Sequence, residues 1–346
     1  MRDGAMPGPL LVVEGLRKDF PLRRRGLGSV LGRRRFVHAV NGVSFAIGAE
    51  ETFAIVGESG SGKSTTGRMI ARLIEPTAGR IMFDGADWLA LHGRALRQAR
   101  RQVQMMFQNP FNSLDPRWSV ERIVAEPLVA HRIVPPRQMR DRVVELLHAV
   151  GLASQHLQRY PHQFSGGQRQ RIGLARALAL QPRLLVADEP VSALDVSVQA
   201  QVLTLLREIR RRHRLSMVFI SHDLSVVRYI SDRVGIMYLG ELVEIGPTAE
   251  VFRAPRHPYT AALLASAPRP EPGRRTSRLA LKGEIPSPTN LPQGCPFHPR
   301  CPVAEARCTT EKPALVAGAP GRSAACHYPE RAPGLIARGA PAQPRA

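Results

Sequence analysis

Between residues 10 and 250 the chain alternates short, β-rich apolar runs with longer stretches of helical periodicity. That alternation predicts an α/β domain on a largely parallel sheet, because parallel strands are joined by helical crossovers and are buried on both faces. The clearest strand candidates are 51–56, 184–187 and 217–220. Each stops at a cluster of polar or glycine residues, and sheets of this kind place ligands at the carboxyl ends of their strands. Helical patterns run over 65–74, over 140–150 and from about 164 to 180. After Pro255 the pattern fades. Pro and Gly recur through 255–273 and 283–302, which predicts a loop-rich appendage with little core of its own. The stretch 331–346, rich in Ala, Pro and Arg, is expected to be a disordered tail. No internal repeat is visible.

Composition narrows the class. A hydrophobic content of 43% is too high for a disordered chain. No run approaches the ~18 apolar residues of a membrane span. Residues 1–14 lack the charged segment, apolar core and cleavage site of a secretory signal, so the chain is expected in the cytosol with reduced thiols. The net charge of +21 first suggests nucleic acid or an anionic membrane surface. Lys, however, occurs only at 18, 63, 282 and 312, so nearly all of the 49 basic residues are Arg. Such a replacement looks more like genomic base-composition bias than selection for one polyanionic partner. The stretch 23–35, with two Arg triplets, reads as a solvated insertion between strands or as a contact for acidic lipid headgroups. All four cysteines lie between 295 and 326, which marks a separate C-terminal unit.

Two constellations carry chemistry. Gly57-Glu58-Ser59-Gly60-Ser61-Gly62-Lys63-Ser64 fits G-x-x-x-x-G-K-S/T directly after an expected strand and before an expected helix, continuing into Thr65. Gly57, Gly60 and Gly62 let the backbone curl so that successive N–H groups, with that of Ser59 among them, face a phosphate, and the helix adds its positive dipole end. Lys63 supplies charge to the β/γ oxygens and Ser64 a hydroxyl to Mg²⁺. The run 184–187 ends in Asp188-Glu189-Pro190. Adjacent side chains at a strand end diverge, so Asp188 can hold Mg²⁺ while Glu189 acts as general base toward water.

Between these sites Phe164-Ser165-Gly166-Gly167-Gln168-Arg169-Gln170-Arg171 opens a helix, and Ser165, Gly166 and Gly167 make an anion site with no phosphate loop beside it. This segment closely resembles the signature motif of ATP-binding-cassette (ABC) ATPases. Other elements of that family follow in order. Gln108 resembles the Q-loop glutamine, a further group toward Mg²⁺; Asp195, in Ser192-Ala193-Leu194-Asp195, the D-loop aspartate; and His222, in Ser221-His222-Asp223, the switch histidine. Phe20 stands near the place of the aromatic that stacks on adenine. The resemblance covers about residues 10–255. It implies a P-loop NTPase cassette of α/β class with a helical subdomain at about 110–180 that docks on a permease. It also implies two ATP molecules sandwiched between two cassettes, with Ser165, Gly166, Gly167 and Gln168 acting on the partner's ATP. Repair and chromosome ATPases of the same superfamily carry inserted coiled coils or zinc modules, and translation types carry two cassettes. None of these is present, although a soluble nucleic-acid-associated ATPase remains the competing class.

The tail is more specific. His257-Pro258-Tyr259-Thr260, then Gly283-Glu284-Ile285-Pro286-Ser287-Pro288, then Cys295-Pro296-Phe297-His298-Pro299-Arg300-Cys301-Pro302 resemble the C-terminal extension of oligopeptide/dipeptide importer ATPases, over about 256–330. The insertion before Phe36-Val37-His38-Ala39-Val40 resembles the second of the two ATPases such importers pair. The resemblance implies a peripheral subunit at the cytoplasmic face of the inner membrane. Its partners would be a different but related ATPase, two permeases and, indirectly, an extracytoplasmic peptide-binding protein. Nickel, glutathione and antimicrobial-peptide uptake systems share the architecture. Cys295, Cys301, Cys308 and Cys326 have the spacing C-x5-C-x6-C-x17-C. Structural zinc usually shows closer pairs, and disulfides are disfavoured in the cytosol. Four thiolates in a Pro-rich loop suit a 4Fe-4S cluster, which the family's extension can carry, while zinc and free thiols stay open. His298 and His327 are near enough to substitute as ligands.

Overall fold

The computed structural model describes residues 8–22, 35–108, 113–266 and 284–338. Of the features singled out above, residues 1–7, 23–34, 109–112, 267–283 and 339–346 lie outside the described residues.

Strands β1 (Leu11–Pro21) and β2 (Phe36–Ile47) form an antiparallel pair whose Leu11, Val13, Leu16, Val43 and Ile47 turn inward. β3 (Thr52–Val56) is buried along its whole length and feeds helix α1 (Lys63–Ile70). β4 (Ala78–Phe83) returns to β1, and the short β5 (Ala86–Asp87) completes a sheet ordered β2-β1-β4-β5. α2 (Gly93–Ala99) leads to β6 (Val103–Met106), after which α3 (Val120–Ala130), α4 (Met139–Ala149) and α5 (Gly166–Leu178) follow without a strand. β7 (Leu184–Asp188), α6 (Val196–His213), β8 (Ser216–Ser221), α7 (Leu224–Ile230), β9 (Arg233–Tyr238) and β10 (Glu241–Pro247) resume the alternation. The chain then runs through α8 (Thr248–Arg253), α9 (Pro258–Ser266), α10 (Ala306–Thr310), β11 (Val316–Ala319), β12 (Arg322–Ala324) and α11 (Ala332–Arg338).

The second sheet is ordered β11-β12-β10-β9-β3-β8-β7-β6, parallel from β9 through β6 and antiparallel beyond β9. Its central strands are apolar on both faces, and alternate side chains enter different layers. On β7, Leu184 and Val186 join the core shared with β1, β2 and β4, while Leu185 and Ala187 join the core under α3 to α6. On β8, Val218 and Ile220 take the first face and Met217 and Phe219 the second. The three strands expected from sequence are all present, as β3, β7 and β8.

Helix boundaries moved for local reasons. The helix expected over 65–74 begins at Lys63, just after the left-handed Gly62 (φ 102°), and stops before Arg72, itself left-handed (φ 54°). The Arg72 guanidinium is buried against the Trp88 carbonyl and Glu75, contacts that a continued helix would break. The helix expected from 164 starts at Gly166 because Ser165 is its cap.

The C-terminal region departs most from expectation. It was expected to stand apart with little core, yet β12 pairs with β10, Glu244 opposite Ala324, and so continues the main sheet. Tyr259, Phe297, Cys295 and Cys308 pack into one core with Ala54, Val56 and Tyr238. The tail expected to be disordered from 331 instead begins with α11, whose Ala332 and Leu335 are buried and which packs on α9. Among the positions with described side chains two face inward, too few for a periodicity signal.

Glu244 ties this region in. It is 1% exposed, and its carboxylate accepts hydrogen bonds from the backbone N–H of Arg256 (2.8 Å) and His257 (2.9 Å) and pairs with Arg322 (3.3 Å). Burial pushes its carboxyl up from the ordinary range, against the opposing pull of those donors. Glu244→Ala strands two buried N–H groups and a guanidinium, so it should cost about 3–5 kcal/mol of unfolding free energy. Urea titration of wild type and variant measures this, and a loss under about 1 kcal/mol would show that the tie is dispensable.

Candidate functional site

Backbone register gathers the site. Val56 of β3 lies opposite Ser221 of β8, Ile220 opposite Asp188 of β7, and Ala187 opposite Met106 of β6. The four carboxyl ends are therefore nearly level, and the loops leaving them meet. One pocket is lined by Ser59, Gly60, Gly62, Lys63, Ser64, Thr65, Gln108 and Glu189, together with Val37, Ala39 and Pro288.

The phosphate loop follows β3 without a gap. At Gly62 the backbone is left-handed, and a Cβ would overlap the Ala39 carbonyl oxygen, so only glycine fits there. Lys63 is buried, and its ammonium donates to the carbonyls of Gly57 and Glu58, both at 2.8 Å. Burial pushes the Lys63 ammonium down, an effect offset in part by Glu189, Asp188 and Glu58.

Ser64 Oγ donates to Asp188 Oδ1 at 2.7 Å, while Asp188 Oδ2 is buried with no hydrogen-bond partner among the described residues. Burial raises the Asp188 carboxyl above its usual range, with Glu189 adding to the shift and Ser64, Arg68 and Lys63 opposing it. A buried carboxylate with one orphaned oxygen beside a serine hydroxyl suits a divalent cation, which supplies the missing partner.

Glu189 takes a left-handed backbone (φ 45°), a strained conformation for a side chain of this size, fixed by its N–H donating to Ile220 O at 2.9 Å. Its carboxylate accepts from Gln108 Nε2 (2.9 Å) and lies 3.2 Å from His222 Nδ1. Gln108 and His222 thus hold both Glu189 oxygens, an arrangement able to orient a carboxylate for accepting a proton.

Other expected residues lie elsewhere. Phe20 pairs in register with Val37, which lines the pocket, but Phe20 itself does not line it, and Lys18 Nζ sits 5.2 Å from its ring. Ser165, Gly166, Gly167 and Gln168 stand outside the pocket as the start of α5. Ser165 Oγ accepts from the Gln168 N–H (3.3 Å) and Gln168 Oε1 from the Ser165 N–H (3.1 Å), a reciprocal cap. Asp195 caps α6 by accepting from the Val198 N–H (2.9 Å), and a Cβ at Gly167 would strike the Val198 side chain. The two glycine-rich segments thus serve different surfaces.

Pro288, from the C-terminal segment, was not foreseen as a wall of the pocket. It is held there by the His38 N–H donating to Pro288 O at 3.0 Å. Nothing local in its sequence signals this, since the contact spans the whole fold.

Cys295, Cys301, Cys308 and Cys326 are free of disulfides and line a second pocket together with His298 and His327. Burial pushes the thiols of Cys295, Cys301 and Cys326 up, to about 11 for Cys301 and about 12 for Cys326, and neighbouring sulfurs add to it. His298 Nδ1 is 2.9 Å from Cys295 O and His327 Nε2 is 3.0 Å from Glu311 O, so each ring already has a backbone partner. Among the described residues no three His, Cys, Asp or Glu side chains close on a point as ligands of one metal ion would.

Comparison with known proteins agrees with this geometry. Residues 40–192 match the family described as ABC transporter, and residues 243–308 the family described as oligopeptide/dipeptide transporter, C-terminal region. The chain is 48% identical over 97% of its length to the probable peptide ABC transporter ATP-binding protein y4tS of Sinorhizobium fredii, covering 94% of that protein. It is 50% identical over 92% of its length to the oligopeptide transport ATP-binding protein AppF of Bacillus subtilis, covering 97% of it. Among solved structures, the dimeric ATP-binding cassette MJ0796 bound to ADP and Pi superposes with a TM-score of 0.60 at 28% identity, over 69% of this chain and 98% of that one.

The orphaned oxygen of Asp188 generates a testable asymmetry. Asp188→Asn removes a buried, partly unpaired charge, so the nucleotide-free protein should gain about 1 kcal/mol in stability. The same variant should lose the extra stabilisation that wild type gains from Mg²⁺ added with ATP. Thermal unfolding with and without Mg²⁺ and ATP reads both effects, and an unchanged Mg²⁺ response would remove Asp188 from the cation site.

Proposed function

The chain belongs to the ATP-binding proteins of ABC transporters, and from that premise we propose that it binds and hydrolyses ATP to drive import of short peptides. The observation that carries the proposal is one pocket in which Lys63, Ser64, Gln108 and Glu189 converge, with Asp188 and His222 bonded to its members. The match over residues 243–308 and the names of relatives near 50% identity support peptides as the cargo.

In this reading the phosphate loop and Lys63 hold the β- and γ-phosphates, and Ser64 and Asp188 hold the magnesium that accompanies them. That magnesium would neutralise phosphate charge when bound. Glu189 takes a proton from the attacking water, and Gln108 and His222 keep its carboxylate aimed. Ser165, Gly166, Gly167 and Gln168 do not line this chain's own pocket, and we assign them to the ATP of a second, related ATPase. Asp195, capping the helix packed on that segment, would pass movement between the two subunits.

Residues 10–255 would form the cassette, with α3 to α5 meeting a permease, and 256–330 the family extension. No helix among the described residues is long and apolar enough to cross a membrane, so attachment would come through two permease subunits at the cytoplasmic face. An extracytoplasmic peptide-binding protein would deliver the cargo.

Cys295, Cys301, Cys308 and Cys326 would hold a 4Fe-4S cluster. A single zinc needs its thiolates within about 2.3 Å of one point, whereas a cluster spreads four thiolates over separate irons. What supports the reading is that all four thiols line one pocket. The cluster would supply folding free energy to a region of short elements.

Glu189→Gln should bind ATP with near-normal affinity yet lose steady-state hydrolysis by about a hundredfold or more. Near-normal turnover would sink the general-base role. Protein purified without oxygen should contain iron and acid-labile sulfide, about four of each per chain. Stoichiometric zinc without iron would remove the cluster.

A further inference from the structure

Glu58 places a carboxylate in the loop assigned to the phosphates. Its carboxylate stands five residues before Lys63, and its field reaches that ammonium. Glu58 does not line the pocket itself, but unpaired its charge would oppose that of a triphosphate held at Lys63.

The pairing comes from the far end of the chain. Arg300 Nη1 donates to Glu58 Oε2 at 2.8 Å and Nη2 to Oε1 at 3.1 Å, a two-pronged fork across 242 residues. The Arg300 side chain is 7% exposed and that of Glu58 25%, so solvent screens this pair far less than a surface one. The guanidinium also lies 5.9 Å from the centre of the Tyr238 ring. Its backbone is set by a tight turn, with the Arg300 N–H donating to Phe297 O and the Cys301 N–H to His298 O. Phe297 is buried against Tyr238 and Tyr259. The Glu58 amide is held from the same side, donating to Tyr259 Oη at 3.0 Å.

We propose that Arg300 is a positioning residue for the phosphate loop, neutralising Glu58 so that ATP meets Lys63 without an opposing carboxylate. The inference rests on ATP occupying the pocket lined by Lys63 and Ser64. It makes nucleotide affinity a property of the C-terminal segment as well as of the loop itself. Arginine suits the task because its planar fork engages both carboxylate oxygens, which a lysine ammonium does not.

The test is ATP affinity by calorimetry on the full chain, for wild type, Arg300→Gln, Glu58→Gln and the double variant, with nucleotide-free thermal unfolding alongside. Arg300→Gln should weaken ATP binding about fivefold or more, and adding Glu58→Gln should restore it to within about twofold of wild type. A purely structural role predicts that the double variant binds as poorly as Arg300→Gln, and that result overturns the proposal, as does wild-type affinity in Arg300→Gln. Glu58→Gln alone gives a reading on a partly exposed residue if the Arg300 variant fails to fold. Its affinity should equal or exceed that of wild type, and weakened binding overturns the proposal. Wild type that binds no ATP would overturn the nucleotide reading itself, a failure distinct from the others.

Discussion

The parallel ladder of β3, β8 and β7 is the constraint on which everything else depends. Its backbone hydrogen bonds set Val56 opposite Ser221 and Ile220 opposite Asp188, and strand register cannot slip by one residue without turning every core side chain to the wrong face. Phe53 and Ile55 enter one core and Ala54 and Val56 another, so a slip would empty two layers at once. With register fixed, loops that begin 131 residues apart, at Gly57 and Asp188, open on the same pocket. Precision at Lys63, Asp188 and Glu189 is therefore supplied by the hydrophobic layers beneath them.

This explains which parts of the site were legible. Gly57 to Thr65, Asp188, Glu189 and His222 stand directly after strands that their apolar runs announce, so the chemistry and the element that aims it are neighbours in sequence, whereas Gln108 follows β6, which no apolar run announced, and was legible only through the family resemblance. Phe20 was expected beside the nucleotide yet does not line the pocket, and β1 carries register shifts between Val13 and Leu16 and again between Lys18 and Asp19. Such irregularities decide where an edge side chain goes and leave no compositional trace. Pro288, Tyr259 and Arg300 were illegible as site residues for a different reason. Each reaches the loop only through tertiary contact from beyond residue 255.

The C-terminal region corrected the expectation of a separate unit. A change to Pro- and Gly-rich sequence signals loss of regular elements, yet it says nothing about where the irregular chain lies. Here β12 covers the open edge of β10, which would otherwise present unpaired N–H and C=O groups. Glu244 of β10 then receives the N–H groups of Arg256 and His257, and His257 Nδ1 accepts from the Tyr259 N–H at 3.1 Å. The run His257-Pro258-Tyr259 is thus one hydrogen-bonded device. It starts α9 at a fixed place and delivers the Tyr259 hydroxyl to Glu58, so the same residues that anchor the tail reach the phosphate loop.

The charge of +21 acquires a structural meaning from the same contacts. Arg233 joins β9 to the Ala46 carbonyl (3.0 Å) and Glu51 (3.1 Å), Arg72 joins the end of α1 to Trp88 and Glu75, and Arg322 joins β12 to Glu244. Several of these bind a carbonyl and a carboxylate together, which needs the spread donors of a guanidinium. A chain biased toward Arg can therefore build long-range clamps from residues that composition alone would assign to an anionic partner. Lys63 marks the limit of that substitution. Its ammonium fits beneath a single turn of loop, 2.8 Å from the carbonyls of both Gly57 and Glu58, where a planar fork would displace the backbone it must follow. Arginine serves where two elements must be joined across a gap, and lysine where one compact charge must be buried within a loop.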